Sequence, residues 1–195
     1  GPEAAQALSR ICPEAGNMVF MDSRHLTIDG VECFVSRSGY TGEDGYEISI
    51  PADEAERLCR LFIAQPEVEC IGLGARDSLR LESGLCLYGH DLNQDTTPIE
   101  GSLIWAISKC RRADGERAGG FPGAEKIFDQ IANKNFTRKR VGLIAQGKAP
   151  IREGAELVNA DGVKIGEVTS GSFGPTRSEE RRVGKKCRTV WATCK

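Results

Sequence analysis

The sequence predicts an α+β fold, and three patterns support that prediction. Two short apolar segments within residues 25–36 flank Asp29-Gly30, a dipeptide typical of a tight β-hairpin turn. Residues 51–64 follow with apolar side chains at helical spacing. Short apolar segments and a second hairpin signal return over residues 140–169. A helix that follows a hairpin favours an antiparallel sheet with helices packed on one side.

The composition is that of a globular protein of one or two domains. The chain has 195 residues, of which 39% are hydrophobic and 28% are charged, and its formal net charge is -2. Such a small net charge gives no overall field that would favour nucleic acid or an anionic membrane. No apolar run approaches the roughly 20 residues of a membrane-spanning helix.

The eight cysteines are predicted to be small buried side chains in a reducing compartment. No two of them have the two-residue spacing of a zinc site. Cys33 lies in a predicted strand beside Phe34, and both Cys59 and Cys86 have leucine neighbours. We therefore expect no metal site and no disulfide framework.

The first elements are a short amphipathic helix over residues 2–11 and a group of strands. Short strands are predicted at residues 18–20 and 25–28. The hairpin turn then leads into a strand at residues 31–36.

Residues 38–50 are the most informative stretch, because three glycines spaced by three residues share one loop with a tyrosine and several acids. Glycine permits positive φ and close approach of the backbone, so this loop could bind a ligand or could be an ordinary turn. The strand pattern over residues 46–50 places Glu47 on the face opposite Tyr46 and Ile48. We expect Glu47 to point away from the core.

A second helix is predicted over residues 51–64, and a third begins in the glycine-rich turn at residues 71–75. Arg76 falls in the first turn of the third helix, where the helix dipole disfavours a cation. Two interpretations stay open for Arg76: a bidentate contact with a ligand carboxylate, or a salt bridge to a nearby acid.

Residues 91–95 place oxygen-bearing side chains at alternate positions, as in a calcium loop. The sixth position holds Thr96 in place of the required glycine, so a calcium site is not expected. His25 and His90 are the only histidines and are both expected to be structural.

A basic, glycine-rich linker is predicted at residues 111–120. Beyond it we predict a helix at residues 124–132, a strand at residues 140–145 and a hairpin over residues 157–169. These strands would form one wall of an antiparallel sandwich or barrel.

Residues 177–195 differ in character, being highly charged at first and without a period that continues the β pattern. They resemble the translation of a sequencing adapter, so no fold is expected from them. The alternative is a genuine basic tail that binds an acidic partner.

Several motifs occur in one order: the stretch at residues 38–50, the segments 72–82 and 84–89, Thr-Pro-Ile-Glu at residues 97–100 and Phe-Pro-Gly-Ala at residues 121–124. As a series they resemble the aminomethyltransferase family, the T-proteins of the glycine cleavage system. The resemblance covers about residues 1–175.

The resemblance implies a division into four parts. Residues 1–110 would be the C-terminal part of the folate-binding domain, and residues 111–120 the linker. Residues 121–176 would be a truncated antiparallel β-barrel domain, followed by the non-native or disordered tail at residues 177–195.

The resemblance also implies a reaction. Such enzymes take the aminomethyl group from the lipoyl arm of the H-protein, release ammonia and pass the one-carbon unit to tetrahydrofolate. The implied partners are thus the lipoylated H-protein and tetrahydrofolate, with no metal, nucleic acid or membrane. The family works in the bacterial cytosol, the compartment we favour here, or in the mitochondrial matrix.

By motif, Glu47 should bind the pterin ring, Tyr40 should line the pocket, and Arg76 should help to bind the folate. The family's catalytic aspartate is expected upstream of residue 1, so this chain alone is expected to have little or no activity. Glu43 and Asp44 are expected to be solvated turn carboxylates. Folate domains of sarcosine or dimethylglycine dehydrogenases, and non-catalytic folate-binding modules, are the alternatives.

Overall fold

The computed structural model describes residues 1–144, 151–173 and 188–194. The chain divides into two compact units, Gly1–Ser83 and Gly84–Lys195. No helix among the described residues is long and apolar enough to cross a membrane. Mixed helix and sheet confirm the predicted α+β class, whereas the predicted linker boundary at residues 111–120 stays a prediction.

The first unit is built on a three-stranded antiparallel sheet. Its strands are β1 (Ser23–Ile28), β2 (Val31–Ser36) and β3 (Glu47–Ser49), in that spatial order. Asp29 and Gly30 have φ of 47° and 82°, as the two central positions of a type I′ turn require. The hairpin predicted from this dipeptide is confirmed, with Ile28 paired to Val31.

Helices cover one face of this sheet: α1 (Ala4–Ile11) and α2 (Ala55–Ile63), both at predicted positions. Val31, Cys33 and Val35 alternate with exposed residues along β2 and are buried with Leu8 of α1 and Leu58 of α2. Burying each large aliphatic side chain contributes about 1.5–3 kcal/mol, so this cluster holds the unit together. A further helix, α3 (Leu73–Glu82), ends the unit.

The strand predicted at residues 18–20 is wrong. A 3₁₀ turn at Pro13–Asn17 precedes this segment, and Met21 has a φ of 71°, which ends any extended run. The side chains of Val19 and Phe20 are exposed. Apolar composition suggested a strand here, but the backbone turns before the hairpin begins.

The prediction that the cysteines are buried holds for only part of them. Cys12 and Cys33 are buried, but Cys59 and Cys70 are exposed and Cys86 is half-buried. Cys59 follows buried Leu58 in α2 and therefore points about 100° away from it around the helix axis. Neighbouring leucines in sequence did not indicate which face of the helix carries the thiol.

The second unit contains α4 (Ala124–Asn133) and a four-stranded antiparallel sheet. The strands are β4 (Lys139–Ile144), β5 (Glu156–Val158), β6 (Lys164–Phe173) and β7 (Arg188–Cys194), in the spatial order β4-β7-β6-β5. The predicted helix, the predicted strand near residue 140 and the second hairpin are confirmed; residue 145 lies outside the described residues.

Strand β7 departs from the sequence prediction, which expected no fold after residue 177. Residues 188–194 pair with both β4 and β6 at the centre of the sheet. The segment contains Thr189, Val190 and Trp191, residue types that favour strands. The charged residues before it masked this short signal; residues 174–187 lie outside the described residues.

Asp91 holds part of the second unit together from a buried position. Its carboxylate accepts hydrogen bonds from the Leu87 backbone N–H at 2.9 Å and from the hydroxyls of Thr169 and Ser170 at 2.5 and 3.0 Å. Because Asp91 is only 4% exposed, these donors replace water around the carboxylate. The residue that suggested a calcium loop therefore joins the segment before α4 to β6.

Candidate functional site

The loop between β2 and β3, residues 37–46, carries the features that the sequence singled out, and we refer to it as the site loop. Its ends are adjacent, because Ser36 pairs with Glu47 across the sheet. Tyr46, Ile48 and Ile50 pack against the core, whereas Glu47 is exposed. The predicted orientation of Glu47 away from the core is confirmed.

Two serines orient the Glu47 side chain. Ser38 Oγ donates a hydrogen bond to Glu47 Oε2 at 3.1 Å, and Ser36 Oγ lies 2.9 Å from Ser38 Oγ. A carboxylate held by a short hydrogen-bonded chain has fewer accessible rotamers than a free surface glutamate. Glu47 is therefore an oriented acceptor at the edge of the sheet.

An ion pair closes the site loop. Arg37 forms a bidentate pair with Asp44, with Nε to Oδ1 at 3.0 Å and a terminal nitrogen to Oδ2 at 2.7 Å. The hydrogen bond from Arg37 lowers the pKa of Asp44. The expectation that Asp44 is simply solvated is wrong, because half-buried Arg37 binds it, whereas Glu43 is exposed.

The same arginine ties the site loop to the core. Arg37 donates to the Met18 carbonyl oxygen, and its guanidinium lies 5.5 Å from the centre of the Tyr46 ring. Tyr46 in turn donates its hydroxyl to the Ala15 carbonyl at 3.0 Å. Burial is the main cause that raises the pKa of Tyr46. These contacts fix the core-facing side of the loop and leave its outer side accessible.

Helix α3 supplies the cation of the site. The Arg76 guanidinium carbon lies 4.7 Å from the centre of the Tyr40 ring, within the range of a cation–π contact. Arg76 is exposed and Tyr40 half-buried, so the ring supports the guanidinium on one side. The structure thus brings together Tyr40 and Arg76, two of the three residues that the motifs indicated.

Arg80, one turn beyond Arg76, has a different environment. It is only 2% exposed and donates from Nε to Asp77 Oδ1 at 2.7 Å within the same helix. The salt bridge that the sequence left open for Arg76 is seen at Arg80. In α3, Arg76 is therefore accessible to a ligand, whereas Arg80 has a structural role.

Sequence reasoning missed Arg37, Ser38 and Ser83 as supports of the site. Arg37 and Asp44 lie seven residues apart, on either side of Gly39 and Gly42, and this spacing of opposite charges could have indicated the ion pair. The contact of Ser83 with Thr41 spans 42 residues and has no local signature.

The second unit has a polar cavity of about 150 Å³ lined in part by Asp91, Glu100, Arg138 and Arg140. Arg138 lies 3.6 Å from Glu100, and Arg140 donates to the carbonyls of Gly84 and Gly101. These charged groups serve the packing of that unit. Among the described residues, no group of three or more histidine, cysteine or acidic side chains could hold a metal ion.

Comparison with known proteins fits an α+β unit followed by an antiparallel β unit. Residues 1–111 match the model of the GCVT N-terminal domain, and residues 138–180 match that of the glycine cleavage T-protein C-terminal barrel domain. The first match covers more than half of the chain. The chain therefore belongs to the glycine cleavage T-protein family.

Individual relatives agree with this assignment. The chain is 50% identical over 184 residues to a mitochondrial aminomethyltransferase of Dictyostelium discoideum, and 46% identical over 186 residues to the human one. These matches cover 90% and 94% of this chain but 44% and 45% of the relatives. The chain thus spans less than half the length of these relatives.

A solved structure gives the same result for the fold. The glycine cleavage system aminomethyltransferase T of Bartonella henselae matches 97% of this chain and 48% of its own, with a TM-score of 0.75 and 38% identity. The names of these relatives support the aminomethyltransferase interpretation over the dehydrogenase alternative. The roles of Glu47, Tyr40 and Arg76 stay predictions.

Proposed function

We propose that this chain is the folate-binding part of an aminomethyltransferase of the glycine cleavage system. In the proposed reaction, the lipoyl sulfur of the H-protein releases its aminomethyl group, ammonia leaves, and the carbon joins two nitrogens of tetrahydrofolate as a methylene bridge. The lipoylated H-protein and tetrahydrofolate are the proposed partners.

The observation that carries this proposal is the oriented carboxylate of Glu47 in a chain of this family. A pterin ring presents an N–H and an amino group along one edge, and a carboxylate accepts two such hydrogen bonds side by side. Ser38 already holds one oxygen of Glu47, which reduces the entropy lost on binding. Glu47 is thus the proposed pterin-binding residue.

Arg76 and Tyr40 take the second role in the proposed site. A guanidinium binds carboxylates bidentately, and folates carry carboxylates on their glutamate tail. The ring of Tyr40 beneath Arg76 holds the guanidinium plane while leaving its N–H groups available to a ligand. We assign Arg76 to folate binding and Tyr40 to the wall of the pocket.

Binding and chemistry are separate in this proposal. The reaction also needs an acid/base carboxylate at the attacking nitrogen, and no residue of this chain is assigned that role. We expect the chain to bind tetrahydrofolate but to turn over aminomethylated H-protein slowly or not at all. Turnover at the rate of a full-length relative would contradict this second expectation.

Titration calorimetry with tetrahydrofolate under anaerobic conditions tests the binding role. We expect Glu47→Ala to weaken binding by about tenfold or more, since a charged hydrogen-bond acceptor is lost. Glu32→Ala is the matched control, because Glu32 is also an exposed glutamate on this sheet. Equal affinity of Glu47→Ala and wild type would remove Glu47 from the site.

The proposed cellular compartment rests on the names and sources of the relatives. The curated relatives from Dictyostelium discoideum and human are mitochondrial proteins by name, and the solved relative comes from a bacterium. We propose the mitochondrial matrix for a eukaryotic source and the cytosol for a bacterial one.

A further inference from the structure

The site loop touches the end of helix α3 at one very close contact. Gly42 has a φ of 80°, and a Cβ atom added there would lie 2.0 Å from Ser83 Oγ and 2.6 Å from Ser83 Cβ. Ser83 caps the C-terminus of α3. A side chain at residue 42 would therefore be both conformationally strained and in collision with the helix.

A hydrogen bond reinforces this contact. Ser83 Oγ lies 2.7 Å from the carbonyl oxygen of Thr41 and 2.8 Å from that of Leu79, so its single proton is shared between the loop and the helix. The serine thus links the backbone of the site loop to the last turn of α3.

The position of Ser83 at the end of α3 places it on the same helix face as Arg76. Ser83 follows Arg76 by seven residues, which is about two helical turns, so both side chains lie on the same face. Arg76 contacts Tyr40 at one end of this face, and Ser83 contacts Gly42 at the other. These two contacts together fix the orientation of the loop against the helix, whereas a single contact would let the loop rotate about it.

We infer that Gly42 and Ser83 are positioning residues that set the distance between Tyr40 and Arg76. This inference rests on the proposed folate-binding function and deepens it. The small size of both residues lets the loop backbone approach α3, and the approach holds the Tyr40 ring beneath the guanidinium. A larger side chain at residue 83 acts as a wedge that separates the ring from Arg76.

The test uses Ser83→Val, which places branched bulk against Gly42 at an exposed position. We expect tetrahydrofolate affinity to fall by about tenfold, since a misplaced binding group loses most of its contribution. Ser83→Ala keeps the close packing and removes only the hydrogen bond, so a loss of about twofold is expected.

Ser9 offers a matched control in the same unit. Ser9 Oγ also bonds to the carbonyl four residues earlier, Ala5, at 2.6 Å, and a Cβ on Gly16 would lie 2.7 Å from it. Ser9→Val therefore repeats the same wedge against a glycine outside the site loop. Gly16 follows Ala15, whose carbonyl accepts the Tyr46 hydroxyl, so we expect Ser9→Val to lower the melting temperature but to reduce tetrahydrofolate affinity much less than Ser83→Val does.

A double-mutant cycle separates positioning from general damage. If Ser83 acts through the distance to Arg76, Ser83→Val should cost little affinity in an Arg76→Ala background. The same fold-loss in both backgrounds would overturn the positioning role, as would unchanged affinity in Ser83→Val alone.

One measurement without ligand keeps this inference distinct from the proposed function. Ser83→Val should raise amide hydrogen exchange across residues 40–44 by more than Ser9→Val does. Wild-type protein that does not bind tetrahydrofolate contradicts the proposed function. Unchanged exchange in Ser83→Val contradicts the positioning role, whatever the binding result.

Discussion

Two loops of this chain have similar composition but different uses of their arginines. The site loop, residues 37–46, and the basic loop, residues 109–120, are both rich in glycine and charge. In the site loop, Arg37 binds the side chain of Asp44. In the basic loop, Arg111 donates to the Gly119 carbonyl at 3.2 Å, and Arg112 donates to the Ile107 carbonyl at 3.1 Å.

The difference lies in which groups stay available to a ligand. Arg111 and Arg112 of the basic loop donate to backbone carbonyls, so their charge stabilises the local turn. In the site loop, one internal ion pair secures the backbone and leaves the outward Glu47 and the nearby Arg76 accessible. Glycine and charge alone therefore do not distinguish the two loops, whereas the partners of their arginines do.

The largest expected effect comes from removing the ion pair of the site loop. Arg37→Ala leaves Asp44 half-buried without its guanidinium and frees the loop from the Met18 carbonyl. We expect tetrahydrofolate affinity to fall by about tenfold or more, together with a lower melting temperature. Arg111→Ala should leave that affinity unchanged; a similar loss in both variants would erase the distinction between the loops.

Acid should loosen the site loop through Asp44. Its pKa is lowered in the folded protein, chiefly by the hydrogen bond from Arg37. The stabilisation is therefore complete above the pKa of an unfolded aspartate, about 3.9, and is lost as pH falls through the lower folded value. Melting curves of wild type and Asp44→Asn should converge toward acid pH; a constant difference between pH 7 and pH 2 would contradict this linkage.

A smaller effect is expected at the cation of the site. Arg76→Lys keeps the charge but loses the planar group that lies over Tyr40. We expect about a threefold loss of tetrahydrofolate affinity, less than for Arg76→Ala, because the ammonium is more strongly hydrated and cannot bind bidentately. Equal affinities of the lysine and alanine variants would show that charge at this position is unimportant.

The smallest effect concerns the basic loop, whose cations act on a thiol. The Ser108 hydroxyl at 3.2 Å and Arg117 at 3.4 Å lower the pKa of Cys110. We expect Cys110 to react with iodoacetamide about twofold faster in wild type than in Arg117→Ala at pH 7. Mass-spectrometric rates for exposed Cys59 serve as the internal reference, and they should be equal in both proteins.

Local patterns predicted the parts of the fold that depend on near neighbours. The Asp29-Gly30 turn, helices α1, α2 and α4 and the outward direction of Glu47 followed from turn chemistry and periodicity. Motif resemblance selected Tyr40 and Arg76, which contact each other although they are 36 residues apart in the sequence. That pair could not have been derived from spacing alone.

Features that depend on tertiary contacts could not be predicted from the sequence. Asp44 was expected to be solvated because turn acids usually are, but the fold brings Arg37 to it. The leucines near Cys59 in sequence led to the prediction that Cys59 is buried. Which side chains of α2 are buried depends on where the sheet lies, and Cys59 is exposed. Strand β7 owes its central place to pairing on both edges, which no local window contains.

The buried carboxylate of Asp91 has a consequence for the order in which the chain becomes structured during synthesis. Its hydroxyl donors, Thr169 and Ser170, lie 78 and 79 residues further along. The hydrogen bonds that support the site loop, by contrast, span between 7 and 42 residues. Long-separation contacts form late, and chains emerge from the ribosome amino terminus first. The site loop of a nascent chain can therefore form before Thr169 and Ser170, the hydroxyl donors to Asp91, have been translated.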